Sequence, residues 1–309
     1  MDEDLDFLYY LLRASNLNRH AGGSAQPLVT QGTLKALRFR VPSPVRRHHI
    51  GQTLRNFDDL IENNRQRVEM LEEMARTIYR EWFVRFRYPG HEGVPLVDSA
   101  LGQIPEGWAV EQLSAIAKVN QTSRRPRDDE NLQYLDITAL AEREVGDMEV
   151  IAGSDAPGRA RRVVSPGDTV WTTVRPNRRA HALLVAPEED WIASTGLAVL
   201  SPEKVSPAFL FETTSTPAFA DWLVGRATGS AYPAVRANDF EAAPVVVPPH
   251  GVDQAFAGAV DPLHQLSWKL RDECTALARL RDLLLPKLVT GQIDVSALEL
   301  DALIEGQVA

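Results

Sequence analysis

One cysteine, Cys274, in 309 residues excludes a disulfide framework within the chain and any multi-cysteine zinc site. Cys274 lies on a helical apolar stripe, where a thiol reads as a small buried apolar side chain rather than a reactive one. Long hydrophobic runs are also missing. No stretch of about 18 apolar residues occurs, so no membrane-spanning helix is predicted. The acidic start Met1-Asp2-Glu3-Asp4 does not resemble a signal peptide, and a cytoplasmic protein with no membrane partner is expected. The usual signatures of catalysis are absent as well: there is no Gly-rich phosphate loop or dinucleotide fingerprint, no His-Glu-x-x-His, no Gly-x-Ser-x-Gly elbow and no Asn-Pro-Pro-Tyr-type motif. The adjacent His48 and His49 project about 100° apart on a predicted helix and do not suit one ion. These absences predict a non-catalytic chain with no metal or cofactor of its own.

Positive charge is in deficit overall, with a formal net charge of −9. This balance argues against a uniformly basic nucleic-acid binder, whose affinity rests on Lys and Arg neutralising phosphates. The deficit is unevenly distributed. Between Arg159 and His181 the chain has Arg159, Arg161, Arg162, Arg175, Arg178 and Arg179 against the single acid Asp168, whereas the tail beyond Gly291 has four acids and no Lys or Arg.

What the sequence does contain is a duplication. Gly23-Ser24-Ala25-Gln26-Pro27-Leu28-Val29 recurs as Gly229-Ser230-Ala231-Tyr232-Pro233-Ala234-Val235, an offset of 206 residues that also places Val41-Pro42 on Val247-Pro248. Solenoid repeats have periods of about 20 to 50 residues, so this is a duplicated module and not a solenoid. Each copy leads into a long helical pattern. Ile50, Leu54, Phe57, Ile61, Val68, Leu71, Ala75, Ile78 and Trp82 alternate at spacings of four and three, with Asn64 filling the one polar position. Phe256, Val260, Leu263, Ser267, Leu270, Cys274, Leu277, Arg281, Leu284 and Leu288 repeat that stripe. Two matching heptad stripes predict that the helices pair as a coiled coil within the chain, in which Asn64 either fixes register or marks a solvent-facing kink.

The first helix is predicted over Val45–Arg87 and the second to meet Pro286 and stop near Gly291. Each is preceded by a strand-like run, Phe39-Arg40-Val41-Pro42 and Val245-Val246-Val247-Pro248. From Ile104 to Pro248 short β-branched runs alternate with Pro and Gly punctuation, and Pro207–Val224 looks helical, with an upstream echo at Leu8–Leu17. The expected class is therefore α+β: one mixed α/β domain flanked by two long helices that form a coiled coil. The expected segments are 1–44 (the end of a first mixed domain), 45–90 (first helix), 91–103 (linker), 104–248 (complete mixed domain), 249–293 (second helix) and 294–309 (acidic tail).

The run Gly167 to Arg179 reads as a turn, the buried strand Thr169–Val174 and a loop presenting Arg175, Asn177, Arg178 and Arg179. Arginine pairs bidentately with phosphate or guanine and Asn with adenine, so these residues, with Thr172 and the flanking Arg159, Arg161 and Arg162, are candidate DNA contacts. A solvated charged loop is the bland alternative. Arg124 and Arg125 form a second basic cluster, followed at once by Asp128-Asp129-Glu130, and rank as phosphate contacts. In the repeated turn, glycine allows backbone geometry closed to other residues, and Ser230 and Tyr232 are further DNA-contact candidates. A junction shaped only by packing is the alternative there.

Taken in order, the Gly-Ser-x-x-Pro turn, the Val-Pro end, the heptad helix, Trp82-Phe83-Val84-x-Phe86, Ile104-Pro105-Glu106-Gly107-Trp108, Val174-Arg175-Pro176, Ser194-Thr195-Gly196 and the closing Leu288-Val289-Thr290-Gly291-Gln292-Ile293 resemble the specificity subunits of type I restriction–modification systems. The resemblance implies two target-recognition domains that each read half of a bipartite DNA site, separated by two spacer helices that form an antiparallel coiled coil. It implies partners: double-stranded DNA, methyltransferase subunits and a restriction endonuclease/translocase subunit. S-adenosylmethionine, ATP and Mg are implied on those partner subunits and none on this chain. It further implies that a second specificity chain, or a separate first recognition domain, completes the site. The alternative is a coiled-coil scaffold that no longer reads DNA, or a silent truncated remnant.

Overall fold

The computed structural model describes residues 5–22 and 28–293. The first copy of the repeated turn (23–27) and the acidic tail (294–309) lie outside the described residues. The chain divides into two compact units, one comprising the residues up to Glu69 together with those from Lys269 onward, the other Met70–Trp268.

In the first unit, helix α1 (Leu5–Ala14) and the short helix α2 (Gln31–Ala36) precede α3 (Pro44–Tyr79), which runs on into the second unit. Phe7, Tyr10 and Leu11 of α1 are buried with Ile50 and Leu54 of α3 and with Leu285, Leu288 and Val289 at the far end of the chain. The absence of a side chain at Gly51 lets α1 approach α3, since a Cβ there would stand 2.9 Å from the Phe7 backbone nitrogen. A polar tie joins the same three segments. The Tyr10 hydroxyl donates to Asp58 Oδ2 at 2.6 Å, and Arg281 bonds the other oxygen of Asp58. Arg281 thus occupies an apolar seam position because its charge is paired.

The second unit contains helices α4 (Pro207–Thr214), α5 (Pro217–Arg226) and α6 (Ala237–Glu241), and α7 (His250–Val289) begins in it. One four-stranded antiparallel sheet has the order 181–183, 169–172, 197–202, 117–119; a second has 149–152, 131–135, 191–194, 160–163, with a parallel pair at its centre. Trp171, Phe209, Phe219, Phe240, Phe83, Trp108 and Phe256 fill the core between the first sheet and the helices.

The heptad reading survives in both units. Ile50, Leu54, Ile61, Asn64, Val68 and Ala75 are buried on α3, and Phe256, Val260, Ser267, Leu270, Arg281 and Leu288 on α7. In the first unit Cys274 Sγ lies 3.5 Å from the Ile61 carbonyl, and Asn64 donates to Glu273 at 3.3 Å. Tyr79 meets Phe256 edge-on in the second unit. In the first unit the pairing runs antiparallel, since Arg281, Cys274 and Glu273 meet Asp58, Ile61 and Asn64 in turn. Asn64 therefore faces the partner helix and is 7% exposed, which rules out the solvent-facing kink.

Several sequence expectations are corrected. The α-helix ends at Tyr79 and continues as a π-turn over Arg80–Val84, which turns Phe83 into the core. The run Phe39-Arg40-Val41 is not a strand, whereas its repeat Pro244–Val247 pairs with Ala109–Gln112. No strand among the described residues pairs with the first run, and a strand needs a ladder partner. The end of α7 is not among them: the helix runs through Pro286 to Val289, and Gly291 at φ +74° ends it where the sequence places the stop. The region Pro207–Val224 is two helices, because Thr216 caps a new start by accepting from the Phe219 N–H.

Candidate nucleic-acid interface

The second copy of the repeated turn and the arginine loop, more than fifty residues apart in sequence, are joined by backbone pairing. Arg175 N–H donates to the Pro233 carbonyl at 2.7 Å, and Val235 N–H donates to the Thr173 carbonyl at 2.9 Å. Thr173 also donates through its backbone and its hydroxyl to the Gly196 carbonyl, both at 2.9 Å, while Thr195 N–H donates to the Arg159 carbonyl at 2.8 Å. One continuous run of hydrogen bonds therefore gathers Arg159, Ser194-Thr195-Gly196, Thr173–Arg175 and the 229–235 turn. Gly229 has φ +100°, and a Cβ there would press on the Tyr232 carbonyl at 3.2 Å. Glycine is required to fold this turn back on itself.

The loop itself is rigid. Pro176–Arg178 forms a single 3-10 turn bracketed by Arg175 and Arg179, both at φ +53°. Two non-glycine residues in the left-handed region cost about 1–2 kcal/mol each, so the surrounding bonds must offset that strain. Beneath the loop His181 stacks on Trp171, with centroids 4.4 Å and planes 7° apart. Its Nδ1–H donates to the Arg179 carbonyl at 2.6 Å, and Nε2 accepts from the Ser215 hydroxyl at 2.8 Å. Burial pushes His181 down to about 3, so the ring is neutral.

Asn177 and Arg178 stand exposed, and neither side chain makes a hydrogen bond or ion pair to another described residue. The Arg175 guanidinium lies over the Tyr232 ring, 4.6 Å from its centroid, and Tyr232 is 69% exposed. Arg179 differs, because its Nη2 reaches the Ser215 carbonyl at 2.9 Å and Glu142 Oε1 at 3.0 Å. Thr172 is corrected outright. It is 1% exposed and its hydroxyl donates to the Val174 carbonyl, so it braces the loop from inside and meets no ligand. Ser230 is exposed on the turn, and Arg159 is exposed beside Thr195.

Arg161 and Arg162 lie on strand 160–163, and the 122–124 segment pairs with that strand's edge, so the two basic clusters of the sequence form one neighbourhood. Within it Arg162 Nη1 donates to Ser123 and Arg161 Nε to the Gly158 carbonyl. Arg124 is held by Glu130, while Arg125 is exposed. Asp168, the only acid between Arg159 and His181, is 3% exposed and accepts from Ser165 N–H. The accessible face of that segment is therefore purely cationic.

Sequence reasoning missed Glu142 and the group behind it. Arg143, next in the chain, forms a buried bidentate pair with Glu212 at 2.6 and 3.2 Å, and His264 Nε2 lies 3.3 Å from the same carboxylate. Burial raises the Glu212 pKa, but the Arg143 charge and the His264 and Arg143 hydrogen bonds outweigh it and hold the carboxyl well below its usual range. No spacing in the sequence marks these residues as partners. Among the described residues no group of three or more His, Cys, Asp or Glu could hold a metal ion, and no helix is long and apolar enough to cross a membrane.

The 70–268 unit thus displays a cationic loop on a mixed α/β framework. The family model described as the type I restriction modification DNA specificity domain matches residues 2–73. The type I restriction enzyme MjaIX specificity subunit of Methanocaldococcus jannaschii is 25% identical over 303 residues, covering 95% of this chain and 70% of that protein. The type I restriction–modification S subunit from M. genitalium superposes with a TM-score of 0.57 at 16% identity, covering 93% of this chain and 72% of that one. A chain from a structure of type I R-M complex assembly and conformational transition is 28% identical, with a TM-score of 0.46, over 59% of this chain and 48% of its own length. The chain is thus similar over nearly its whole length to a type I restriction–modification specificity subunit.

Proposed function

We propose that this protein is the DNA sequence-recognition subunit of a type I restriction–modification system, with the 70–268 unit reading one half of a bipartite site. The observation that carries the reading is the 303-residue match to a type I specificity subunit, which spans both long helices and the whole mixed α/β region. The cationic loop and the buried position of its one acid supply the electrostatics that DNA requires. The chain is non-catalytic in this reading, and methylation and cleavage reside in methyltransferase and endonuclease/translocase subunits that bind S-adenosylmethionine, ATP and Mg. The α3 and α7 helices are the docking spacer.

A second recognition domain reads the other half of the bipartite site. The duplication supports this. Leu5, Leu34 and Phe39 are 59%, 42% and 39% exposed, whereas their counterparts at the 206-residue offset, Phe211, Phe240 and Val245, are 3%, 0% and 4% exposed. The test is methylome sequencing of cells with and without the gene. Loss of one bipartite methylated motif is the expected result, and an unchanged methylome refutes the reading.

A further inference from the structure

The four arginine-loop candidates do not have equal freedom. Resting on the DNA-recognition reading above, we propose that Arg175, cradled on Tyr232, is the base-reading side chain of this loop, and that Arg179 is a positioning residue that touches no DNA.

Arg175 makes no hydrogen bond or ion pair through its guanidinium to another described residue, so all its donors are available. The Tyr232 ring, 4.6 Å below, fixes the plane of the fork by a cation–π contact without consuming a donor. A planar fork held in one orientation is what bidentate pairing with a guanine edge needs, and a lysine cannot reproduce it. The backbone of Arg175 is fixed as well, by its left-handed geometry and its bond to Pro233.

Arg179 is tied down through its Nη2 nitrogen. One nitrogen serves both the Ser215 carbonyl and the Glu142 carboxylate, and Glu142 neutralises its charge. Glu142 sits at the tip of the 140–145 hairpin, whose neighbouring Arg143 is locked in the buried pair with Glu212. Backbone pairing between Glu142 and His181 closes the circuit under the loop. Pulling Arg179 onto a phosphate would break these contacts and strand a carboxylate beside the DNA. Arg178, exposed and unpaired, is the loop's phosphate contact.

The full-length chain is incubated with duplexes randomised over about two helical turns, and the bound fraction is sequenced. Affinity for the enriched motif is then measured across a KCl series. Wild type enriches one motif. Arg175→Lys keeps the salt slope but loses preference at a single base pair by about 5- to 150-fold. Tyr232→Ala relaxes the same base pair, whereas Tyr232→Phe does not. Arg178→Ala lowers the salt slope by about one with the motif unchanged. Arg179→Ala and Glu142→Gln both relax the base pair that Arg175→Lys relaxes and leave the slope intact; Glu142→Gln, nearly isosteric, guards against misfolding of the alanine variant. The proposal is overturned if Arg175→Lys leaves the motif unaltered, or if Arg179→Ala lowers the slope by about one while Glu142→Gln tightens binding. A wild-type chain that enriches no motif overturns the DNA-recognition reading itself, and this proposal with it.

Discussion

Lowering the pH from 7 to 5 is predicted to weaken the 70–268 unit by about 2 kcal/mol through His181 alone. The ring is 0% exposed and sandwiched on Trp171. Its two nitrogens are committed in opposite senses. Nδ1 must donate, because its partner is the Arg179 carbonyl, and Nε2 must accept. The Ser215 hydroxyl also lies 2.7 Å from the Phe211 carbonyl. With the proton of the neutral ring on Nδ1, Nε2 can only accept, and the hydroxyl's single proton is the one that can serve it. A second proton on His181 would oppose that bond and place a cation in the core beside Arg143 and Arg179, and burial holds the folded value at about 3.

The direction follows from linkage. Histidine in the unfolded chain titrates near about 6.5, so between that value and 3 the unfolded state binds a proton that the folded state refuses. The stabilisation is complete above the unfolded value and is lost as pH falls. From pH 7 to pH 5 the loss is about 1.4 pH units at 1.36 kcal/mol each. Any folded value below about 4 gives the same figure, because the folded ring stays unprotonated throughout the window. Urea unfolding followed by tryptophan fluorescence at pH 7, 6 and 5 measures it. In His181→Phe, which keeps the stack on Trp171 but cannot titrate, the pH-dependent part should shrink by about 2 kcal/mol. Equal pH dependence in wild type and His181→Phe would refute the assignment of a neutral buried ring.

Two further substitutions test the framework around the loop. Arg143→Met strips the bidentate partner from Glu212, 2% exposed, leaving only His264 beside that buried carboxylate, and should cost about 3–5 kcal/mol in thermal or chemical unfolding, whereas the double change with Glu212→Met recovers most of that loss. Gly153→Ala should destabilise by about 1–3 kcal/mol or more, since the new Cβ would stand 1.8 Å from the Arg127 carbonyl oxygen; a melting temperature matching wild type would show that the 127–153 contact yields freely.

The helices were legible in the sequence because a heptad stripe is a local pattern with one physical meaning. Positions such as Ser267 and Arg281 look like faults in that stripe, yet both are buried, and Arg281 is tolerated because Asp58 meets it from the facing helix. The corrections share a cause. Phe39–Val41 and Val245–Val247 are equally strand-like as text, and only the presence of Ala109–Gln112 makes one of them a strand. A ladder is a property of two segments, and a one-dimensional pattern reports on one.

The same limit applies more sharply to the basic loop. Charge counting placed Arg175, Arg178 and Arg179 on equal terms because a sequence gives the charge of a residue and not the fate of that charge. What separates them is an acid 37 residues upstream of Arg179 and an aromatic ring 57 residues downstream of Arg175. Thr172 shows the converse: strand alternation put it beside the loop, but a strand covered on both faces buries every side chain from Thr169 to Thr172. An arginine can serve a DNA phosphate or base only if the fold has left it unneutralised. The cationic face is therefore narrower than the sequence suggests, and any account of its specificity has to begin from the arginines that no carboxylate holds.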